Sequence, residues 1–514
     1  MTFVHPRDFI RNATRRSPGK TAVISAGEPV SYAALNDLIG ALARRLKAAG
    51  VGAGDTVALS FPNSLEFVVA FYAAMQVGAV VFPVSPKLTG KELAGLLVDA
   101  QADCVIHPKG APQPLAAFQS AGVRIALQLG FSGSDLLLEP AVLRVRPLAA
   151  DKPARVRTRY QTVVRQYSSG STGTPKHMLK TSRNLFHDAW HFAASLGLTE
   201  KEVFLGAAPF YHNYGLLSLL TAGYLGATLV VVKQFLPHAV LEHIRKDHVT
   251  AWLATPAMLE ILADCYLDQT PSLPSLRCCV SSTAPLTKAV FERFHRRFGL
   301  PVFQVYGSTE SATNTVQKIT DYTDETLVGT PMPGIEVQIF DEHFRRLPRG
   351  RVGRVGVKAP SACDGYLHNA AASAQTFRAG YVFPGDLGHL DAQGALHVVG
   401  RDNVINVGGM KVDALEVERV LNSHPAVAES LVYGSADGNG QKLSAAVVAR
   451  SGGLTVAELL DHCWARLSDY KLPKVIHIVD TLPRDEHGKI VRKAIEEHVR
   501  RPRGSTPEKS LKNS

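Results

Sequence analysis

Apolar and polar positions fall into two textures along the chain. From residue 4 to about residue 105, helical spacing alternates with short apolar runs. Residues 67–78 (FVVAFYAAMQVG) predict a strongly apolar helix closing at a glycine, a common stop signal. Residues 79–84 follow as a strand, and 229–232, 251–253 and 302–305 repeat the theme of short β-rich segments between helices. That rhythm predicts an α/β fold with buried, mainly parallel strands. Beyond about Gly329 the spacing tightens to short strands at 336–340, 354–358 and 395–398, separated by Gly and Pro, which predicts a small β-rich unit. From about Arg401 a second α/β pattern begins, with helices over 414–423 and 456–468 and strands over 429–433 and 444–449. The expected division is a large N-terminal domain over 1–400, a smaller α+β domain over 401–498, and a basic tail over 499–514. The tail lacks apolar periodicity and reads as disordered.

Composition narrows the class. A chain of 514 residues is too long for one ordinary domain. Its six cysteines (Cys104, Cys265, Cys278, Cys279, Cys363 and Cys463) form no CxxC pair, which suits reduced thiols in a cytoplasmic protein better than a metal or disulfide framework. The N-terminus lacks the apolar core of a secretory signal. The longest uncharged run, 203–232, is broken by Pro209, His212, Asn213 and four glycines. A membrane helix needs roughly 20 predominantly apolar residues, so no transmembrane segment is expected. The net charge of +11 suits a polyanionic partner. No helix-turn-helix spacing, zinc finger or basic stripe with interleaved aromatics is present, which argues against nucleic acid.

Candidate chemistry begins at Tyr167, Ser168, Ser169, Gly170, Ser171, Thr172, Gly173, Thr174, Pro175 and Lys176. Small residues let the backbone approach a ligand closely, and the hydroxyls and amides of such a loop can cradle phosphate oxygens, with Lys176 adding a positive charge. The GxxxxGK[ST] spacing of a Walker A loop is absent. Taken alone, a Ser/Gly/Thr run is a surface loop more often than a ligand site. Tyr306, Gly307, Ser308, Thr309 and Glu310 follow the strand predicted at 302–305, beyond its C-terminal end, where ligands bind in open α/β sheets. Next to a phosphate loop, Glu310 becomes a candidate Mg²⁺ ligand, since Mg²⁺ prefers one or two carboxylates plus substrate phosphates.

Together these segments resemble the adenylate-forming superfamily of acyl-CoA synthetases, peptide-synthetase adenylation domains and luciferases. Residues 168–176 resemble its phosphate-binding signature and 306–310 its YGxTE motif. Ser282-Thr283-Ala284-Pro285-Leu286, Val328-Gly329-Thr330-Pro331, Gly385-Asp386-Leu387, Gly400-Arg401, Gly408-Gly409-Met410-Lys411-Val412 and Gly488-Lys489 stand in the order the family requires. The resemblance covers about residues 31–493.

The resemblance implies a carboxylic acid–CoA ligase that uses ATP, Mg²⁺ and CoA and passes through an acyl-adenylate. It implies that Ser168, Ser169, Gly170, Ser171, Thr172, Gly173 and Lys176 embrace the β- and γ-phosphates. Glu310 would hold Mg²⁺ and Thr309 would contact the α-phosphate region. Tyr306 and Gly307 would line one face of the adenine, and Thr283, Ala284 and Pro285 the other. Asp386 would take the ribose hydroxyls, supported by Arg401. Lys489 would bridge carboxylate and α-phosphate, since a positioned cation offsets the repulsion of two anions in the transition state. The C-terminal domain would be a mobile lid hinged at Asp402, with Gly408 and Gly409 facing the pantetheine tunnel.

Departures from the family pattern are His177 for a usual Gly, Pro384 for a usual Thr, Ser282-Thr283 for a Gly-rich pair, and a hinge segment one residue short. The run 209–215 (PFYHNYG) resembles the segment bearing the family's acyl-site His, here His212. No acidic residue stands there to pair a substrate ammonium, which disfavours an α-amino acid. Tyr211, Tyr214, Met258 and Thr283 are candidate walls of the acyl pocket. CoA is the favoured acceptor, because neither a large insertion nor a thiolation domain is seen. The alternatives are an adenylate ligase loading an acyl carrier protein or an amine, and a non-catalytic nucleotide-binding relative. The identity of the acid and the oligomeric state are not legible.

Overall fold

The structure, a computed structural model, describes residues 2–109, 118, 120–123, 125–132, 135–141, 161–168, 176–266, 272–401, 404–407, 410–437, 440–450, 452–467, 469–484, 490 and 494–500. Two large sheets dominate. The first has seven strands in the order Asp135–Ala141, Ile125–Ser132, Cys104–Pro108, Thr56–Ser60, Val80–Val84, Thr162–Ser168 and Lys176–Thr181. Its five central strands are parallel, and the two edge strands are antiparallel. The second sheet has a parallel half of Thr21–Ser25, Thr228–Val231, Val203–Gly206, Ala251–Ala254, Cys278–Ser281 and Val302–Ser308.

The β-rich unit expected after Gly329 continues that second sheet. Strand Ala312–Ile319 turns back antiparallel on Val302–Ser308, then pairs with Leu327–Pro331, which pairs with Leu396–Arg401. The resulting sheet of 15 strands, with Glu336–Phe340 branching off its main path, therefore carries the chain from the α/β half into the β-rich half without a break.

Burial explains the apolar runs. Helix Leu65–Gln76 is buried from Phe67 through Met75. A helix apolar all round needs cover on every side. The largest apolar cluster supplies it, joining the helix to Val57 and Leu59 of one sheet and Phe204 and Leu229 of the other. The Ser64 hydroxyl accepts from Phe67 N at 3.2 Å and starts the helix. Gly78, at φ +81°, ends it as the helix-stop pattern predicts. Cys278 and Cys279 face opposite sides of their strand, each in a different core cluster, and all six thiols are free.

In the C-terminal region, Val427–Asp437 pairs antiparallel with Gly440–Ala449, which pairs parallel with Val475–Val479. Helices Ala414–Asn422 and Val456–Trp464 close a core of Val417, Leu421, Val432, Leu459 and Cys463. The second helix stops at Trp464, short of the predicted 468. Leu467, which extends the apolar pattern, packs on the same core from a turn in which Arg466 N donates to Cys463 O. The last described helix is Ile495–Arg500. Among the described residues, no helix is long and apolar enough to cross a membrane.

Candidate active site

The site is built at the C-terminal end of strand Val302–Ser308. Its parallel neighbour Cys278–Ser281 runs into the loop 282–285, and the Ser282 hydroxyl donates to Val305 O at 2.7 Å, tying that loop to the strand. Thr283 lies at φ +79°, an unusual conformation for a β-branched residue, and Thr283, Ala284 and Pro285 are exposed. At Gly307 a Cβ would lie 2.1 Å from Ala312 O, so only glycine permits the close return of the next strand. The Tyr306 hydroxyl donates to Asp386 Oδ2 at 2.7 Å. Asp386 is buried at the start of strand Asp386–Leu390, in register opposite Arg401. Two motifs 80 residues apart are thus joined through one carboxylate.

Thr309 and Glu310 occupy the turn that follows. The Tyr366 hydroxyl donates to Glu310 Oε1 at 2.7 Å. Burial, and then the adjacent carboxylate, push the Tyr366 phenol pKa well up, so it stays a donor. The Lys176 ammonium sits 5.1 Å from the centre of the same ring, a cation–π distance. The main-chain oxygen of Glu310 accepts from Cys363 N at 2.9 Å and from Lys180 Nζ at 3.4 Å. Lys176, Tyr366, Glu310 and Lys180 thereby form one connected group.

The candidate phosphate segment is bracketed by one strand pair. Ser168 closes strand Thr162–Ser168 and stands in register opposite Lys176, so the segment between them leaves and returns at one antiparallel pair. Ser169, Gly170, Ser171, Thr172, Gly173, Thr174 and Pro175 lie outside the described residues, as do Asp402, Gly408, Gly409 and Lys489. The backbone of Arg401 is placed opposite Asp386.

His212 precedes helix Asn213–Leu225, with its ring 4.6 Å from that of Tyr211. Gly215 follows because a Cβ there would meet Pro209 O at 2.0 Å. Tyr214, a candidate pocket wall, braces the helix on the sheet: it is 8% exposed and its hydroxyl donates to Val280 O at 3.0 Å. Met258 packs against the second core cluster.

Two residues at the site escaped the sequence. Tyr366 meets Glu310 across 56 residues, and only the short Gly365-Tyr366 step in a loop marks it. Lys180 is a cation in a strand position that is 1% exposed, where the pattern gives no reason to expect a charge.

The donor set suits Mg²⁺ bound with a nucleotide. Glu310 offers a half-buried carboxylate, and among the described residues no group of three or more His, Cys, Asp or Glu could hold a metal unaided. An ion taking most ligands from phosphates and water needs no more than that.

Residues 10–367 match the AMP-binding enzyme family and 416–489 match the AMP-binding enzyme C-terminal domain. The chain belongs to the AMP-binding enzymes. It is 30% identical to oxalate–CoA ligase of Arabidopsis thaliana over 516 residues, covering 95% of this chain and 98% of that one. Among solved structures it is similar to O-succinylbenzoate CoA synthetase of Bacillus subtilis, bound to ATP and magnesium in one structure and to the acyl-adenylate intermediate OSB-AMP in another. The TM-score is 0.82 for both, with 28% and 27% identity, covering 95% of this chain and 99% and 98% of the others. The amide bond synthetase McbA of Marinactinospora thermotolerans is also similar, with a TM-score of 0.82, 27% identity, and coverage of 96% and 99%. This AMP-binding enzyme thus shares both of its matched regions, and nearly its whole length, with CoA ligases.

Proposed function

We propose that the chain is an AMP-forming acid–CoA ligase. A carboxylate oxygen attacks the α-phosphorus of ATP, the bond to the β-phosphate oxygen breaks, and pyrophosphate leaves with its electron pair. The thiolate of CoA then attacks the acyl carbon of the adenylate and expels AMP. The observation that carries this reading is the Tyr306–Asp386 hydrogen bond. It couples an aromatic ring at the end of a sheet strand to a buried carboxylate, an arrangement suited to a nucleoside's base and ribose.

In this reading Tyr306, Gly307, Thr283, Ala284 and Pro285 flank the base, and Asp386 accepts from the ribose hydroxyls. Ser168 to Lys176 wrap the outer phosphates, and Thr309 reaches the α-phosphate. Glu310 would hold Mg²⁺, which when bound neutralises charge on the triphosphate. Tyr366 orients the Glu310 carboxylate through Oε1. Lys489, from a mobile C-terminal domain beginning near residue 401, would offset the repulsion between the acid and the α-phosphate. His212, ahead of helix Asn213–Leu225, would gate the acyl pocket.

The test is a carboxylic-acid panel, including oxalate and 2-succinylbenzoate, scored for pyrophosphate release with and without CoA. Acid-dependent pyrophosphate release and a thioester product are expected. No release with any acid would leave a nucleotide-binding protein without ligase activity. The similarity to an amide bond synthetase supports a second reading, in which an amine replaces the thiol. Product analysis with CoA, holo-carrier protein and amines separates the two.

A further inference from the structure

Lys180 is buried to 1% exposure on the edge strand Lys176–Thr181, on the same face as Lys176 and Met178. An ammonium carries three donors. The hydrogen bond of this one goes to the Glu310 carbonyl at 3.4 Å. Its charge also reaches Asp188, a fully buried carboxylate on helix Ser182–Ser195. Burial pushes the Asp188 pKa up, against the opposing pull of Thr313 and Lys180. Oδ1 of Asp188 accepts from Thr313 Oγ1 at 2.6 Å and from Thr313 N at 3.2 Å.

Both side chains therefore act on one turn. Glu310 opens it and Thr313 closes it, with Ala312 between them at φ +65°, a conformation an alanine rarely takes. Ser361 Oγ donates to Ser311 O at 3.2 Å from a third side. A buried ammonium and a buried carboxylate cost folding free energy that an apolar pair of the same size would not. Their placement beneath the Glu310 turn calls for a gain elsewhere.

We propose that Lys180 is a positioning residue for the metal–nucleotide site. Its ammonium holds the Glu310 carbonyl while Asp188 holds Thr313, so the Glu310 carboxylate is aimed before Mg²⁺ and ATP arrive. The inference rests on Glu310 being the Mg²⁺ ligand.

Calorimetric titration of the full chain with ATP, once with excess Mg²⁺ and once with EDTA, tests it. Lys180→Met and Lys180→Met/Asp188→Asn should bind Mg²⁺–ATP about tenfold more weakly, the size of a lost hydrogen bond to a charged group, and metal-free ATP within about twofold of the parent. The double variant leaves no lone buried charge, so it carries the test if Lys180→Met does not fold. Unchanged Mg²⁺–ATP affinity in the folded double variant overturns the proposal. Equal loss with and without Mg²⁺ also overturns it, because the effect would then lie in the pocket as a whole. Glu310→Ala is run alongside. If it keeps the Mg²⁺ advantage, the assignment of Glu310 falls and takes this proposal with it; if it loses that advantage while the double variant does not, only the role of Lys180 fails.

Discussion

The hydroxyl of Tyr306 lies 2.7 Å from Oδ2 of Asp386, so the residue proposed for the base and the residue proposed for the ribose hold one another directly. A hydrogen bond to a charged group contributes about 1.5–3 kcal/mol, and Asp386 is buried. Tyr306→Phe should therefore raise the KM for ATP by about tenfold or more with a smaller effect on kcat. Pyrophosphate release at saturating acid measures it, and a KM equal to the parent's would show that the bond does not shape the ribose site.

Tyr366 makes a parallel case at Glu310. Removing its hydroxyl leaves Oε1 without its donor and lets the carboxylate rotate. Tyr366→Phe should raise the half-saturating Mg²⁺ concentration by roughly threefold to tenfold while activity at saturating Mg²⁺ survives, as expected for the loss of one hydrogen bond. A Mg²⁺ titration of pyrophosphate release is the measurement; an unshifted curve would remove Tyr366 from the site.

Gly329 lies at φ +97°, and a Cβ there would sit 2.2 Å from Val316 O. Backbone cannot yield as a flexible side chain can, so Gly329→Ala should destabilise the fold by about 3 kcal/mol or more. Gly299, at φ +68° with no atom within 4 Å of where a Cβ would stand, is the control. Gly299→Ala should cost only about 1 kcal/mol. Denaturant midpoints compare the two, and equal losses would mean that contact plays no part.

His177 and His191 are buried, and desolvation lowers each imidazole from 6.5 to about 4. Above pH 6.5 both states are neutral and neither group affects stability. As pH falls from 6.5 toward 4 the unfolded chain takes up the proton first, so stability drops across that window and levels off below it. Each group accounts for a loss on the order of 3 kcal/mol. His191→Gln should flatten the dependence of the unfolding midpoint on pH between 6.5 and 4. A slope equal to the parent's would place that ring in contact with water.

Much of this was legible because it is local. The strand predicted at 302–305 is there and runs on to Ser308, since the pattern that marks a buried parallel strand is written in consecutive residues. The run at 336–340 matches its strand to the residue. The Glu310 partners were not legible. Tyr366 reaches the site from a separate loop, and Lys180 sits at a buried position whose hydropathy argues against it. Nor was the bracing role of Tyr214 legible, because an aromatic in a substrate-like run does not announce that its hydroxyl ties helix to sheet.

Strand Lys176–Thr181 ends its sheet, and an uncovered sheet edge is a template for pairing with another chain. Here Tyr366 bridges Met178, and Leu367 N donates to His177 O at 2.7 Å, so the loop that brings a phenol to Glu310 also shields that edge. A change that releases this loop should bare the edge as it disturbs the site. Loss of catalysis and the onset of self-association would then arrive together, from one lesion.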